Sequence, residues 1–168
     1  MNLTNESYDL KKSTENELLE HLISIVSKKE FLNNNNPNNE IPFYICPFLP
    51  QFTLEVYEVI NFLEKQLNRK EIKVLEIDLY DLSIKLLKNR TGNLLEKIQK
   101  KESNIKKMQL KETLRNVLNA ERHLVPEIKK LIEITEYEVI FIKGIGEVFP
   151  YIRSHNLLTN LQKILKNE

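Results

Sequence analysis

Residues 137–155 read YEVIFIKGIGEVFPYIRSH, and the reading of this stretch decides the fold. Val139, Ile140, Phe141 and Ile142 form a short apolar, mostly β-branched run that ends at a glycine turn. A run of that kind predicts a strand buried on both faces of a parallel sheet, where no polar alternation is needed. Gly144-Ile145-Gly146 then permits a sharp turn, because glycine has no Cβ to clash at positive φ. Charged and hydrogen-bonding groups follow at once. In open α/β sheets functional groups gather beyond the carboxyl ends of the strands, so Gly144, Gly146, Glu147, Arg153, Ser154 and His155 are the candidate binding residues. The same letters also read as a strand, a turn and a capped helix with solvated charges, since an isolated G-x-G is a weak signal.

Working outward, Ile72 to Leu79 (IKVLEIDL) alternates as a strand, with Leu75, Ile77 and Leu79 on one side and Val74, Glu76 and Asp78 on the other. Asp78, at its carboxyl end, is placed to cap the next helix or to coordinate a ligand, and capping is the commoner use. Phe43 to Cys46, bracketed by Pro42 and Pro47, reads as a short third strand, because proline is tolerated at strand ends but not inside a ladder. Cys46 has no basic partner nearby in sequence and reads as a small buried hydrophobe.

Between the strands the apolar period is helical. Thr14 and Glu17 form a T-x-x-E capping box ahead of Leu18, Leu19, Leu22, Ile23 and Val26. A second amphipathic helix covers Thr53 to Leu67, and Tyr80 to Lys88 forms a third. Leu94 to Leu118 is helical and lysine-rich, with a narrow stripe (Leu94, Ile98, Ile105, Met108) that changes register to Leu110, Leu114, Val117 and Leu118. Asn119 caps the next helix, and Leu157 to Leu165 forms the last. Strands alternating with helices imply right-handed crossovers and a parallel sheet covered by helices. The expectation is one α/β domain over 1–168 with a small parallel sheet of about three strands, Rossmann-like or P-loop-like in topology. Residues 1–12 read as flexible, 33–40 as an Asn-rich linker and 79–135 as a helical insertion.

Composition excludes several functions. Lys+Arg 25 against Asp+Glu 24 leaves a net charge of +1, which argues against a protein devoted to gripping nucleic acid. The lysines of 97–111 read as a solvated face, because no aromatic residue interleaves to stack on bases. A single cysteine excludes an internal disulfide and a multi-cysteine metal site, and fits a reducing, cytoplasmic setting. No apolar window reaches the roughly 18 residues of a membrane span, and the first dozen residues have no apolar signal core. The three glycines (Gly92, Gly144, Gly146) cannot make a Walker loop, and Phe149 stands where a dinucleotide fingerprint needs its third glycine. Zinc finds no H-E-x-x-H, and His21, His123 and His155 are far apart. No cofactor and no metal are expected. Ser154 beside His155 does not make a nucleophile and base, because adjacent side chains diverge.

Four stretches together resemble the BrxB family of bacterial BREX (bacteriophage exclusion) defence systems. They are FYICPFLPQFTLEVYEVINFLEKQL (43–67), VLEIDLYDLSIKLL (74–87), ERHLVPEIKKLIE (121–133) and FIKGIGEVFPYIRSHNLLTNLQ (141–162). The resemblance implies a non-catalytic accessory subunit, whose partners include a PglZ-like, alkaline-phosphatase-like protein and a BrxC-like ATPase. Family members continue past the last helix into another apolar strand, so self-association or a dependence on a partner is expected here. Two rivals remain: a degenerate nucleotide or phosphoester hydrolase using Asp78 and His155, and a nucleic-acid-binding module using the lysines of 97–111.

Overall fold

The computed structural model describes residues 15–32, 43–90, 92–101 and 104–165. Thr14 of the capping box, the expected flexible N-terminus and the Asn-rich linker lie outside the described residues. The chain divides into two compact units between Val74 and Leu75.

The first unit is helical. Helices α1 (Glu15–Val26) and α3 (Thr53–Arg69) pack together, with a short α2 (Lys29–Leu32) after α1 and a 3₁₀ turn (Pro50–Phe52) leading into α3. Leu18 from α1 and Val56 and Val59 from α3 form its buried cluster, joined by Leu19, Leu22, Cys46, Phe52 and Ile60. The expected strand at Phe43–Cys46 does not form: residues 43–49 are irregular. Cys46 packs on the helices instead of pairing in a ladder, while Ile45 is left exposed. Cys46 lies against the α1–α3 cluster, and the Tyr44 hydroxyl sits 2.9 Å from His21 Nε2. Cys46 is half-buried, and that burial pushes its thiol up.

The second unit holds the sheet. Strand β1 (Val74–Asp78) pairs with β2 (Val139–Lys143) in a two-stranded parallel sheet. Two strands stand where about three were expected, so the α/β class holds while the molecule is mainly helical. β1 keeps its alternation, with Leu75 and Ile77 buried and Val74, Glu76 and Asp78 half-buried. β2 is not buried on both faces; only Val139 is buried, and Ile140 to Lys143 are half-buried. In a two-stranded sheet each strand is an edge, with one side of its backbone unpaired in the ladder.

Helices fill the crossover: α4 (Leu79–Asn89), α5 (Leu94–Lys101), α6 (Lys107–Val117) and α7 (Val125–Ile134). The lysine-rich stretch is two helices, and the division falls ahead of Lys107, not between Met108 and Leu110 where the apolar stripe changes register. Met108, assigned to that stripe, is 72% exposed. Asn119 caps as expected: its Oδ1 accepts from Arg122 N at 2.9 Å. It opens a π turn over Ala120–Leu124 that runs into α7, whose start carries Pro126 where no helical N–H is lost. The last helix, α8 (Ser154–Leu165), buries Leu157 and Leu161 and packs on the π turn and α7. Among the described residues no helix is long and apolar enough to cross a membrane.

Candidate functional site

Two polar assemblies occupy the second unit, and each takes in part of the sequence-selected set. The first lies at the carboxyl ends of the strands. Asp78 Oδ1 accepts from Tyr80 N at 2.9 Å and from Asp81 N at 3.2 Å, capping α4. Lys143, the last residue of β2, reaches Glu76 Oε1 at 2.7 Å and Asp78 Oδ2 at 3.8 Å. Burial pulls the Lys143 amine down, but the hydrogen bond and charge of Glu76, with the charges of Asp78 and Asp81, outweigh it and hold the amine above its ordinary value. Gly144 fits against this cluster at φ +76°, where an added Cβ would stand 3.1 Å from Asp78 Oδ1 and 3.2 Å from Tyr80 N. The positive φ favours glycine there, and a Cβ would make its neighbours give by a few tenths of an ångström. Gly146 has no positive φ, and a Cβ on it would meet nothing.

The second assembly is built from the loop after β2. Two successive turns fold it: Glu147 N and Val148 N donate to Gly144 O, and Tyr151 N and Ile152 N donate to Val148 O. Val148 and Ile152 are 3% and 1% exposed and anchor the loop, while Phe149 between them is 65% exposed. The Phe149–Pro150 peptide is cis. Glu147, Arg153, Ser154 and His155 are all exposed, the last two in the first turn of α8.

Beside this loop lies an open cleft of about 460 Å³. Arg115 and Asn116 of α6, Asn119 at the π turn, Tyr151 and Arg153 of the loop, and Asn156 of α8 line it. Glu112 is its single carboxylate. Among the described residues, neither Arg115 nor Arg153 has an ion-pair partner within 4 Å. Outside the cleft lining, burial first, then the charges of Arg90 and Arg122, holds the His123 imidazole in the π turn below the ordinary histidine range.

Of the selected residues, Gly144 therefore belongs to the strand-end cluster and Arg153 to the cleft. Gly146, Glu147, Ser154 and His155 lie on the loop and first helical turn outside both. Asp78 caps a helix and pairs with Lys143, as the commoner use of such a residue foretold. Sequence reasoning missed Lys143, Arg115 and Tyr151. The first had a signal: a lysine ending one strand beside the same-side pair Glu76 and Asp78 of another. The other two had none, because they come together only through packing of distant elements. Among the described residues no group of three or more His, Cys, Asp or Glu is arranged to hold a metal ion.

A narrow parallel sheet, a helical crossover and an anchored loop beside a polar cleft define a small α/β protein whose second unit exposes Phe149 and a set of polar side chains after β2. The family model described as BREX protein BrxB matches residues 75–168, the whole of the second unit. A BREX protein BrxB of Bacillus cereus (strain H3081.97) is 31% identical over 164 residues, covering 90% of this chain and 79% of its own. One from Escherichia coli O9:H4 (strain HS) is 27% identical over 147 residues, covering 88% and 72%. No solved structure matches the chain significantly. The chain belongs to the BrxB family.

Proposed function

We propose that this protein, a component of a BREX antiviral defence system through its family, is a non-catalytic accessory subunit that scaffolds other BREX proteins in the cytoplasm. The observation that carries the reading is the build of the 145–153 loop. Val148 and Ile152 pin it at 3% and 1% exposure, and Phe149 is held out at 65%. An aromatic ring fixed in water on a rigid turn gains stability when a partner covers it. Aromatic and arginine side chains dominate interface hot spots, and Arg153 and His155 follow Phe149 within two turns of chain. The PglZ-like protein is the partner this surface serves first, with the BrxC-like ATPase as the second.

The test is co-purification of the full chain with each of those two proteins, comparing the natural sequence with Phe149→Ala. Capture is expected to fall about tenfold or more, as loss of an aromatic anchor does, with the melting temperature unchanged. Undiminished capture by the folded variant would remove the loop from the interface. Turnover of a nucleotide or phosphoester by the isolated chain, abolished by His155→Ala, would instead make the protein a hydrolase.

A further inference from the structure

The polar cleft has a composition that the loop does not explain. Its apolar lining is confined to Ala120 and Ile152, so it offers no pocket for the apolar anchors on which peptide recognition relies. What it offers is two guanidinium groups, three side-chain amides and one aromatic ring, with the Glu112 carboxylate leaving a net positive lining. Arg115 is also the end of a line. Lys107, Lys111 and Arg115 recur every four residues along α6, all exposed, placing a cation about every 6 Å along one side of the helix. That interval is close to the spacing of successive phosphates on an extended nucleic-acid strand. Residues 75–168 carry 17 Lys and Arg against 13 Asp and Glu, a surplus of +4 that the chain's net charge of +1 conceals.

We propose that this cleft and the adjoining α6 stripe bind single-stranded nucleic acid, with Lys107, Lys111, Arg115 and Arg153 on successive phosphates and Tyr151 stacking on one base. A cationic track beside an aromatic ring is the arrangement by which proteins hold single strands without reading sequence. Asn116, Asn119 and Asn156 supply donors and acceptors for the edge of that base. The volume, about 460 Å³, accommodates one nucleotide and not a duplex. The missing aromatic residue that made the lysines of 97–111 look merely solvated is Tyr151, brought alongside Arg115 by the fold. This inference stands apart from the partner-binding role of the loop.

The experiment is fluorescence anisotropy of the full chain with a labelled oligodeoxythymidylate of about 16 nucleotides, the upper end of a single-domain site. Salt is expected to weaken binding with a logarithmic slope of about 0.7 for each of four phosphates neutralised. Arg115→Glu should weaken binding about tenfold or more and reduce that slope by at least one contact. Tyr151→Ala should weaken it about fivefold to a hundredfold, the loss of one stacked base, while Tyr151→Phe retains it. Lys85→Glu, the same charge reversal on the exposed side of α4, is the control and should change little. The proposal is overturned if no binding is detected, if Lys85→Glu loses as much as Arg115→Glu, or if duplex DNA binds better than the single strand. It is equally overturned if poly-glutamate displaces the strand at matching charge, which would make the cleft a site for an acidic protein segment. Phe149→Ala should leave strand binding intact and Arg115→Glu should leave protein capture intact, so each role can fail alone.

Discussion

The strand ends and the cleft both concentrate charge, and they treat it in opposite ways. At the strand ends every charge faces another: Lys143 is 16% exposed and lies between Glu76 and Asp78, at 25% and 20%. In the cleft Arg115 and Arg153 are exposed, and no carboxylate lies within ion-pair reach among the described residues. Half-burying an ion is tolerable only when a partner and hydrogen bonds replace water, so the first cluster is fastened to the fold. An exposed guanidinium keeps its hydration and its five donors, and can exchange that water for a ligand. Where charges are satisfied internally they hold the structure; where they are left to solvent they are available for recognition.

Mutation of the pair gives the largest effect that could break this comparison. Lys143→Met is expected to cost about 2–3 kcal/mol, below the 3–5 kcal/mol of a fully buried pair because some solvent reaches it. It would strand the Glu76 carboxylate, whose Oε2 is buried with no hydrogen-bond partner. Glu76→Leu with Lys143→Met should recover most of the loss, since an apolar pair leaves no buried charge. Urea unfolding of the single and double variants measures both. If the single variant costs under about 0.5 kcal/mol, the cluster is an ordinary surface pair and the contrast with the cleft disappears.

The same pair has a pH signature. In the folded protein the Lys143 amine titrates above its unfolded value, so the folded state binds that proton more tightly. Its contribution is fully present below about pH 10.4, the unfolded value, and is lost as pH rises through the higher folded value. The gap in melting temperature between the natural sequence and Lys143→Met should therefore be constant near neutrality and close in strong alkali. A gap that closes on acidification alone would assign the stabilisation to other groups.

A smaller effect separates the two glycines. Gly144→Ala is expected to cost about 1–3 kcal/mol, the range for a non-glycine residue held at positive φ. The crowding of its Cβ by Asp78 Oδ1 and Tyr80 N acts in the same direction. Gly146→Ala should stay within about 0.5 kcal/mol. Equal costs would mean that the turn, and not the approach of Gly144 to Asp78, sets the requirement.

These contrasts also mark what the sequence could carry. The alternation of β1 and the Asp78 and Asn119 caps are local signals, and each has its structural counterpart; the register change at 108–110 falls inside α6 and marks no boundary. The strand expected at Phe43–Cys46 failed because four apolar residues between prolines suit a ladder and a helix cover equally well; Cys46 and Tyr44 settle on α1 and α3. The apolar run of β2 suggested burial on both faces, which depends on what packs over the sheet and is not written in the run itself. Arg153 was legible as a candidate from its place after the turn, and the structure puts it on the cleft lining. Its companion Arg115 was not, because 37 intervening residues separate them and only the packing of α8 on the π turn brings them to one cleft.

The smallest effect on stability, and the sharpest on function, is expected from Arg153→Glu combined with His155→Ala. Both side chains are exposed, so their removal strands no buried partner, and the stability change should stay within about 0.5 kcal/mol. The opposing idea is that Arg153 is internal and fixes the turn through Glu147. Loss of one member of such a buried pair would cost about 3–5 kcal/mol, an order of magnitude apart from the first figure. A melting curve and a partner-capture assay on the same protein decide between them. Preserved melting with weakened capture places these residues on the recognition surface. A large drop in melting with capture retained by the folded fraction would move Arg153 to the other side of the comparison, among the charges that hold the fold. Because Arg153 also lines the cleft, His155→Ala alone isolates the loop and Arg115→Glu alone isolates the cleft, and the double variant should show the sum of both losses only if the two surfaces act independently.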